Sequence, residues 1–229
     1  PMEEDFWLEA AEWAEAKGAD IITSSLIYKE YDRPYEKNSY SYNDYNGKTA
    51  ITSLAATRSA HLGIVVCQAM GNYNQTTIPS LGSAADADSI ISVGAITFSG
   101  DPASFTSNGP TSDGRTKPDV VAPGVYVYTA VVKEISGDDS TYEYSNGTSF
   151  STPITAGICA LILSAHPELT PLQVRDAVRN TASLSGNPNN ILGWGIVNAY
   201  DALLYHGMAW SNIFQIEKTD NEITVSTYV

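Results

Sequence analysis

At 229 residues the chain is long enough for one α/β domain and short for two. Hydrophobic residues make up 43%, which allows a sizeable core, and 26 acidic against 12 basic residues give a net charge of −14. That charge excludes attraction to nucleic acid or to an anionic membrane surface. Cys67 and Cys159 sit in apolar runs (IVVCQA and GICALIL) and read as small buried hydrophobes rather than a disulfide or metal pair. The longest apolar run, 158–163, is too short to span a membrane. The chain opens on Pro1 and closes on a strand-like run, Glu222 to Val229, so both ends read as cut from a longer polypeptide. The absence of a targeting segment at such an end says nothing about export.

In chain order, residues 3–17 read as a helix. Trp7, Leu8, Ala10, Ala11, Trp13 and Ala14 give an apolar stripe, acids crowd the first turn, and Gly18 is a stop signal. A short strand is predicted over 20–26. Residues 28–47 are polar and tyrosine-rich, with Pro34 and an Asn46-Gly47 turn, and predict a long surface loop that packs on itself or rims a substrate site. A second helix is predicted over 48–61, with Ile51, Leu54 and Ala55 inward, leading through Gly63 into a β-branched strand at 64–67. Further strands are predicted at 90–96, at Val120-Val121 and at 125–128. Residues 149–165 form an apolar helix, and 171–182 another, opened by a Thr170-Pro171-Leu172-Gln173 capping box with proline in the first helical position.

Helices alternating with continuous apolar strands specify α/β architecture: a three-layer α/β/α fold with a mostly parallel sheet covered on both faces. Ligands in such folds bind beyond the carboxyl ends of the strands.

One strand-to-helix junction carries chemistry. Ser149 stands at the start of the most apolar helix, where first-turn N–H groups lack intrahelical partners and the helix dipole is positive. An oxyanion formed on an attacked carbonyl is stabilised at such a place. Gly147 lets a substrate backbone approach, and Pro153 is tolerated where first-turn N–H groups are unpaired anyway. A plain N-cap serine is the alternative, and spacing alone leaves it ahead. The Gly-x-Ser-x-Gly elbow of the α/β-hydrolases is excluded, because Ser151 stands where the second glycine is required.

The full string Gly147-Thr148-Ser149-Phe150-Ser151-Thr152-Pro153 closely resembles the nucleophile motif of the subtilisin-like serine peptidases (subtilases), with Phe150 in place of the commoner methionine. Ala69-Met70-Gly71-Asn72 is similar to that family's oxyanion segment, and the 90–96 strand to the strand that follows it. The segments 105–110, 117–124 and 193–199 are similar to three further family signatures. The resemblance implies an acyl-enzyme on Ser149, with Asn72 as the oxyanion donor. It implies a substrate edge at Ser24, Ser25, Leu26 and Ile27, and an opposing wall at Ala69, Met70 and Gly71. Ile27 stands where the family usually has glycine, so no P1 preference is read.

The family's aspartate and histidine motifs, Asp-Thr/Ser-Gly and His-Gly-Thr, do not occur here. His61, His166 and His206 lie in other contexts and read as structural, and Asp20 does not match the catalytic aspartate. The fold is therefore expected to be missing its N-terminal part, with the base and its orienting carboxylate upstream or on a partner chain, leaving this chain alone nearly inactive. An inactive module binding peptides or partners through the old cleft is the alternative. The expected substrate is a polypeptide, and the expected location is secreted or cell-surface. The chemistry requires no cofactor. Subtilases commonly hold structural calcium, but Asp32 and Asp44 alone make no coordination set, and no metal ligand is assigned. Residues 1–206 are expected to be the C-terminal portion of the catalytic domain, and 207–229 a linker opening a β-rich region.

Overall fold

The computed structural model describes residues 2–132, 135, 137, 141–207, 214–219 and 222–227. Four parallel strands form the central sheet in the order β1 (Ile21–Ser24), β2 (Val65–Ala69), β3 (Ile91–Ile96), β4 (Val120–Pro123). Every residue of β2 and β3 is buried. Because successive strand side chains point to opposite faces, this requires cover on both sides. Val65, Cys67, Ile91, Val93, Val120 and Ala122 pack under α3 (Thr148–Ala165), α4 (Pro171–Asn180) and α5 (Ala199–Leu204). Ile22 and Val66 face the other way, towards Trp7 and Ala11 of α1 (Met2–Ala16) and Ala55 and Ala56 of α2 (Ile51–His61). The result is the three-layer α/β/α arrangement expected from the sequence.

Hydrophobic pattern misplaces the inner face of two helices. Ile51 and Leu54 point to solvent, and α2 packs instead through Thr52, Ser53, Ala55, Ala56, Ser59 and Ala60, whose small side chains let it lie close to its neighbours. On α1, Trp13 is exposed, while the first-turn acid Glu4 is buried. Glu4 accepts hydrogen bonds from the hydroxyls of Tyr31, Tyr40 (2.7 Å) and Thr52 (3.0 Å). The tyrosine loop is thus nailed to the body of the fold through a buried carboxylate, and burial together with Glu4 pushes the Tyr31 and Tyr40 hydroxyls well above their usual pKa range.

The β2–β3 and β3–β4 crossovers carry no helix, contrary to strict alternation. The strand predicted at 125–128 becomes β5 (Val127–Ala130), one arm of an antiparallel hairpin with β6 (Tyr142–Ser145). A second hairpin, β7 (Phe214–Lys218) with β8 (Ile223–Thr227), lies near the C-terminus. By length and composition the 18-residue α3 is long and apolar enough to cross a membrane, which the run-length reading of the sequence overlooked. Here it serves as a core helix over the sheet. The two thiols on this side, Cys67 and Cys159, are fully buried and free, with sulfurs 3.9 Å apart.

Asp119, at the entrance to β4, is fully buried and accepts from Lys117 Nζ (2.8 Å) and from the Arg179 guanidinium, Nε at 2.6 Å. Arg179 in turn stacks 4.1 Å above the Trp194 ring centroid. Burial opposes ionisation of Asp119, but the two cations outweigh it and hold the carboxyl below the usual carboxylate range.

Candidate active site

The strand ends and the start of α3 meet at one edge of the sheet. Gly71, at φ 106°, turns the chain out of β2 so that Asn72 faces the first turn of α3. Asn72 Oδ1 accepts from both Thr148 N–H (3.0 Å) and Thr148 Oγ–H (2.9 Å). Both bonds reach the same oxygen, which fixes the amide orientation, and the Nδ2 donors have no partner among the described residues. Gly147, at φ 147°, passes beneath that amide; a Cβ there would sit 3.4 Å from Nδ2.

Ser149 is half-buried in the first turn of α3, and its hydroxyl makes no hydrogen bond among the described residues. Its carbonyl has an unusual partner. Since α3 begins at Thr148, Pro153 is the sixth helical residue and lies beyond the first turn, correcting the sequence expectation. A proline at that place lacks the N–H that would bond to the carbonyl four residues back. That carbonyl belongs to Ser149, and the Ser25 hydroxyl donates to it instead (3.1 Å). The turn carrying Ser149 is thereby tied to the end of β1.

Gly147 N–H donates to Gly124 O (2.8 Å), and Gly124 N–H to Ile96 O (2.9 Å), anchoring the same turn beyond β4. A Cβ on Gly124 would collide with Ser151 Oγ, 2.7 Å from Ala95 Cβ and 2.9 Å from Gly147 O. Gly124→Ala is therefore expected to lose about 1–3 kcal/mol of stability by overpacking, read as a lower urea midpoint. In an assembled active enzyme, kcat should fall with it, because the strain lands on the turn carrying Ser149.

The predicted substrate residues divide into exposed and engaged groups. Ser25 and Leu26 are exposed beside Ser149. The Ser24 side chain is buried and accepts from Trp7 Nε1 (3.0 Å), so its hydroxyl belongs to the α1 contact rather than to the site. Ile27 packs against the cluster of Tyr45, Met70, Leu81 and Ala85, so Met70 contributes its backbone to the wall while its side chain is core. Ala69 and Gly71 are likewise buried. Sequence reasoning missed two positioning contacts, Thr148 to Asn72 and Ser25 to Ser149, although both hydroxyl residues stand inside the quoted motifs.

No described histidine reaches Ser149. His61 Nε2 is 3.2 Å from Ser89 Oγ, at the edge where β2 and β3 begin. His166 ends α3, about 25 Å along the helix axis from Ser149 at 1.5 Å per residue; it contacts Gly207 O and Glu168. His206 lies beside it, with ring centroids 6.5 Å apart. Among the described residues no three His, Cys, Asp or Glu side chains converge as a metal site. Asp44 spends a carboxylate oxygen on Ser41. Among the described residues Asp32 and Asp44 join no calcium set.

Comparison with known proteins bears on the family and the fold. The sequence profile of the subtilase family matches residues 3–195. Serine protease AprX of Bacillus subtilis is 40% identical over 62% of this chain and 35% of its own length. Subtilisin E of Bacillus subtilis is 34% identical over 85% of this chain and 44% of its own. The chain thus spans less than half of either relative. Among solved structures, fervidolysin from Fervidobacterium pennivorans, a keratinolytic enzyme related to subtilisin, aligns with 93% of this chain and 30% of its own at a TM-score of 0.66 and 24% identity. The prenylagaramide maturation protease PagA aligns with 87% of this chain and 66% of its own at 0.63 and 22% identity. At such identities the structural likeness speaks for the fold.

Proposed function

The chain belongs to the subtilase family, and on that premise we propose that it carries the nucleophile half of a serine endopeptidase active site. Ser149 Oγ bonds to the scissile carbonyl carbon while its proton passes to a histidine base. The carbonyl oxygen takes the negative charge and receives an Nδ2–H of Asn72 and the backbone N–H of Ser149, since the N–H groups of Thr148 and Phe150 are spent on Asn72 Oδ1 and Gly147 O. Collapse breaks the C–N bond, the amine leaves with the proton, and water hydrolyses the ester on Ser149. The observation that carries this reading is the double acceptance of Thr148 donors by Asn72 Oδ1, which aims the amide donors at the turn holding Ser149.

The base and its orienting carboxylate come from a segment outside this chain, upstream in the same protein or on a partner. The engagement of all three histidines elsewhere supports this. So does β1, an edge strand in the described sheet. It is flanked on one face by a cavity of 270 Å³ beside Trp7, Ala11 and Leu26, and on the other by one of 330 Å³ beside Ile21, Leu163 and Pro167. An unpaired edge with apolar hollows on both faces fits a further strand with alternating side chains. The same reading takes residues 1–206 as catalytic-domain sequence and 207–229 as a linker into a β-rich region. It gives the protein a polypeptide substrate and a secreted or cell-surface location, in keeping with its acidic, lysine-poor composition.

Fluorophosphonate labelling of Ser149, read by peptide mass mapping, tests the proposal. The protein at natural length is expected to label rapidly, and Ser149→Ala not at all. The 229-residue chain alone should label at least about 10³-fold more slowly, because an oxyanion site without its base retains only residual catalysis. The engaged histidines also favour a second reading, an inactive module that binds peptides through the cleft. Peptide binding without labelling at natural length would establish it in place of the first.

A further inference from the structure

The β5–β6 hairpin presents an aromatic face that the chemistry at Ser149 does not use. Tyr128 pairs directly across from Tyr144, and Tyr142 joins them from the next pair on that face. Ring centroids are 5.1 Å apart for Tyr128–Tyr144, 5.4 Å for Tyr128–Tyr142 and 6.3 Å for Tyr126–Tyr144. All four rings are more than half exposed, from 56% to 67%. Cross-strand aromatic pairing stabilises a hairpin by about 0.2–1 kcal/mol per pair, and one such pair would serve. Four rings gathered on one face and left in water form an apolar patch of the kind that marks an interaction surface.

Tyr126 adds a second, independent sign. It adopts φ 54°, a left-handed conformation that costs a residue with a Cβ about 1–2 kcal/mol. Its N–H donates to Asn146 Oδ1 at 2.8 Å, and Asn146 immediately precedes Gly147. The strained tyrosine is thus pinned to the segment carrying the nucleophile, where strain and function tend to coincide. The hairpin joins that segment from the β4 side, through Gly147 and Gly124, while Ser25 holds the Ser149 carbonyl from the β1 side. The hairpin thus meets the segment carrying Ser149 from the side opposite the substrate edge at Ser25–Leu26. Tyr144, five residues from Ser149, is at most about 17 Å away, a span that an extended peptide covers in about five residues.

We propose that this tyrosine face binds the part of a polypeptide substrate that follows the scissile bond, and that it selects prolyl and aromatic side chains about three to five residues downstream. The proposal rests on the peptidase reading for its direction along the substrate. The recognising chemistry is ring against ring. Extended or polyproline-like chains present flat apolar faces at little entropic cost, and tyrosines give large, rigid contact area with a hydroxyl left for water. Tyr126, Tyr128, Tyr142 and Tyr144 bring no charge of their own, so selection for a charged side chain is not expected from them.

Peptides sharing the residues before the scissile bond and carrying Pro, Phe, Ser or Arg at the fourth position after it decide the matter. In the natural-length protein, kcat/KM for the Pro and Phe peptides should exceed that for the Ser peptide about three- to tenfold, the range of one ring contact. In Tyr128→Ala/Tyr144→Ala that ratio should fall to about one. Equal ratios in the two proteins, or a preference for Arg over Pro and Phe, would overturn the proposal. Fluorescence anisotropy of the same labelled peptides on Ser149→Ala separates this from failure of the peptidase reading. There, a ring preference in Kd that the double tyrosine variant abolishes supports the platform even if no peptide is cleaved, and its absence refutes it.

Discussion

Replacing Asn72 by leucine in the natural-length protein is expected to slow turnover about 10²–10³-fold while leaving KM within about a factor of three. The side chain is close in volume, so it loses the donors, which matter only once the carbonyl oxygen carries charge, together with the oxygen that accepts from Thr148, a loss that falls on stability. Steady-state kinetics on one peptide substrate check the split between kcat and KM. A drop of only a few-fold would remove Asn72 from the oxyanion role. Thr148→Val makes a companion test. It keeps the backbone donor to Asn72 but deletes the hydroxyl at 2.9 Å. A smaller fall in kcat, about tenfold, is expected from a donor that is loosened rather than removed.

The second large effect falls on stability. Asp119 is held by Arg179 and Lys117 with no access to water, so removal of a partner leaves poorly compensated buried charge. Losing one partner of a buried pair typically costs about 3–5 kcal/mol. Arg179→Met should fall near 3 kcal/mol, because Lys117 still faces the carboxylate, whereas Asp119→Ala should reach the upper end by stranding Lys117. Urea unfolding at constant m-value measures both. The acid limb carries a further signature. Asp119 titrates below its unfolded value, so its contribution is fully present above about pH 4 and is lost as pH falls through the depressed folded value. Arg179→Met should start lower on the plateau and lose less stability on acidification than the native chain.

How much of this was legible in the sequence depends on the range of the interaction. The sheet could be read because β2 and β3 are mostly apolar and interrupted only by Gln68 and Ser92, and the start of α4 because Thr170 and Gln173 cap it reciprocally within one turn. The packing face of α2 could not: Ile51 and Leu54 advertise a hydrophobic side that the fold leaves in water, while small polar residues make the contact. Glu4 reads as an ordinary first-turn acid, since its tyrosine partners arrive 27 and 36 residues later. At the site, periodicity alone left Ser149 a plain helix cap. Only motif resemblance connected it to Asn72, which meets Thr148 across 76 residues of sequence. The true position of Pro153 within α3 required the helix boundary itself.

That proline makes the nucleophile a gauge of sheet alignment. Its missing N–H hands the Ser149 carbonyl to the hydroxyl of Ser25 just beyond β1, while the neighbouring Thr148 is clamped to the amide of Asn72 just beyond β2. Adjacent residues of one helical turn are therefore moored to adjacent strands. A small slide of β1 along β2 would change the spacing between the Ser149 turn and the Asn72 amide. The outermost strand of the described sheet is thus coupled directly to the turn that carries Ser149.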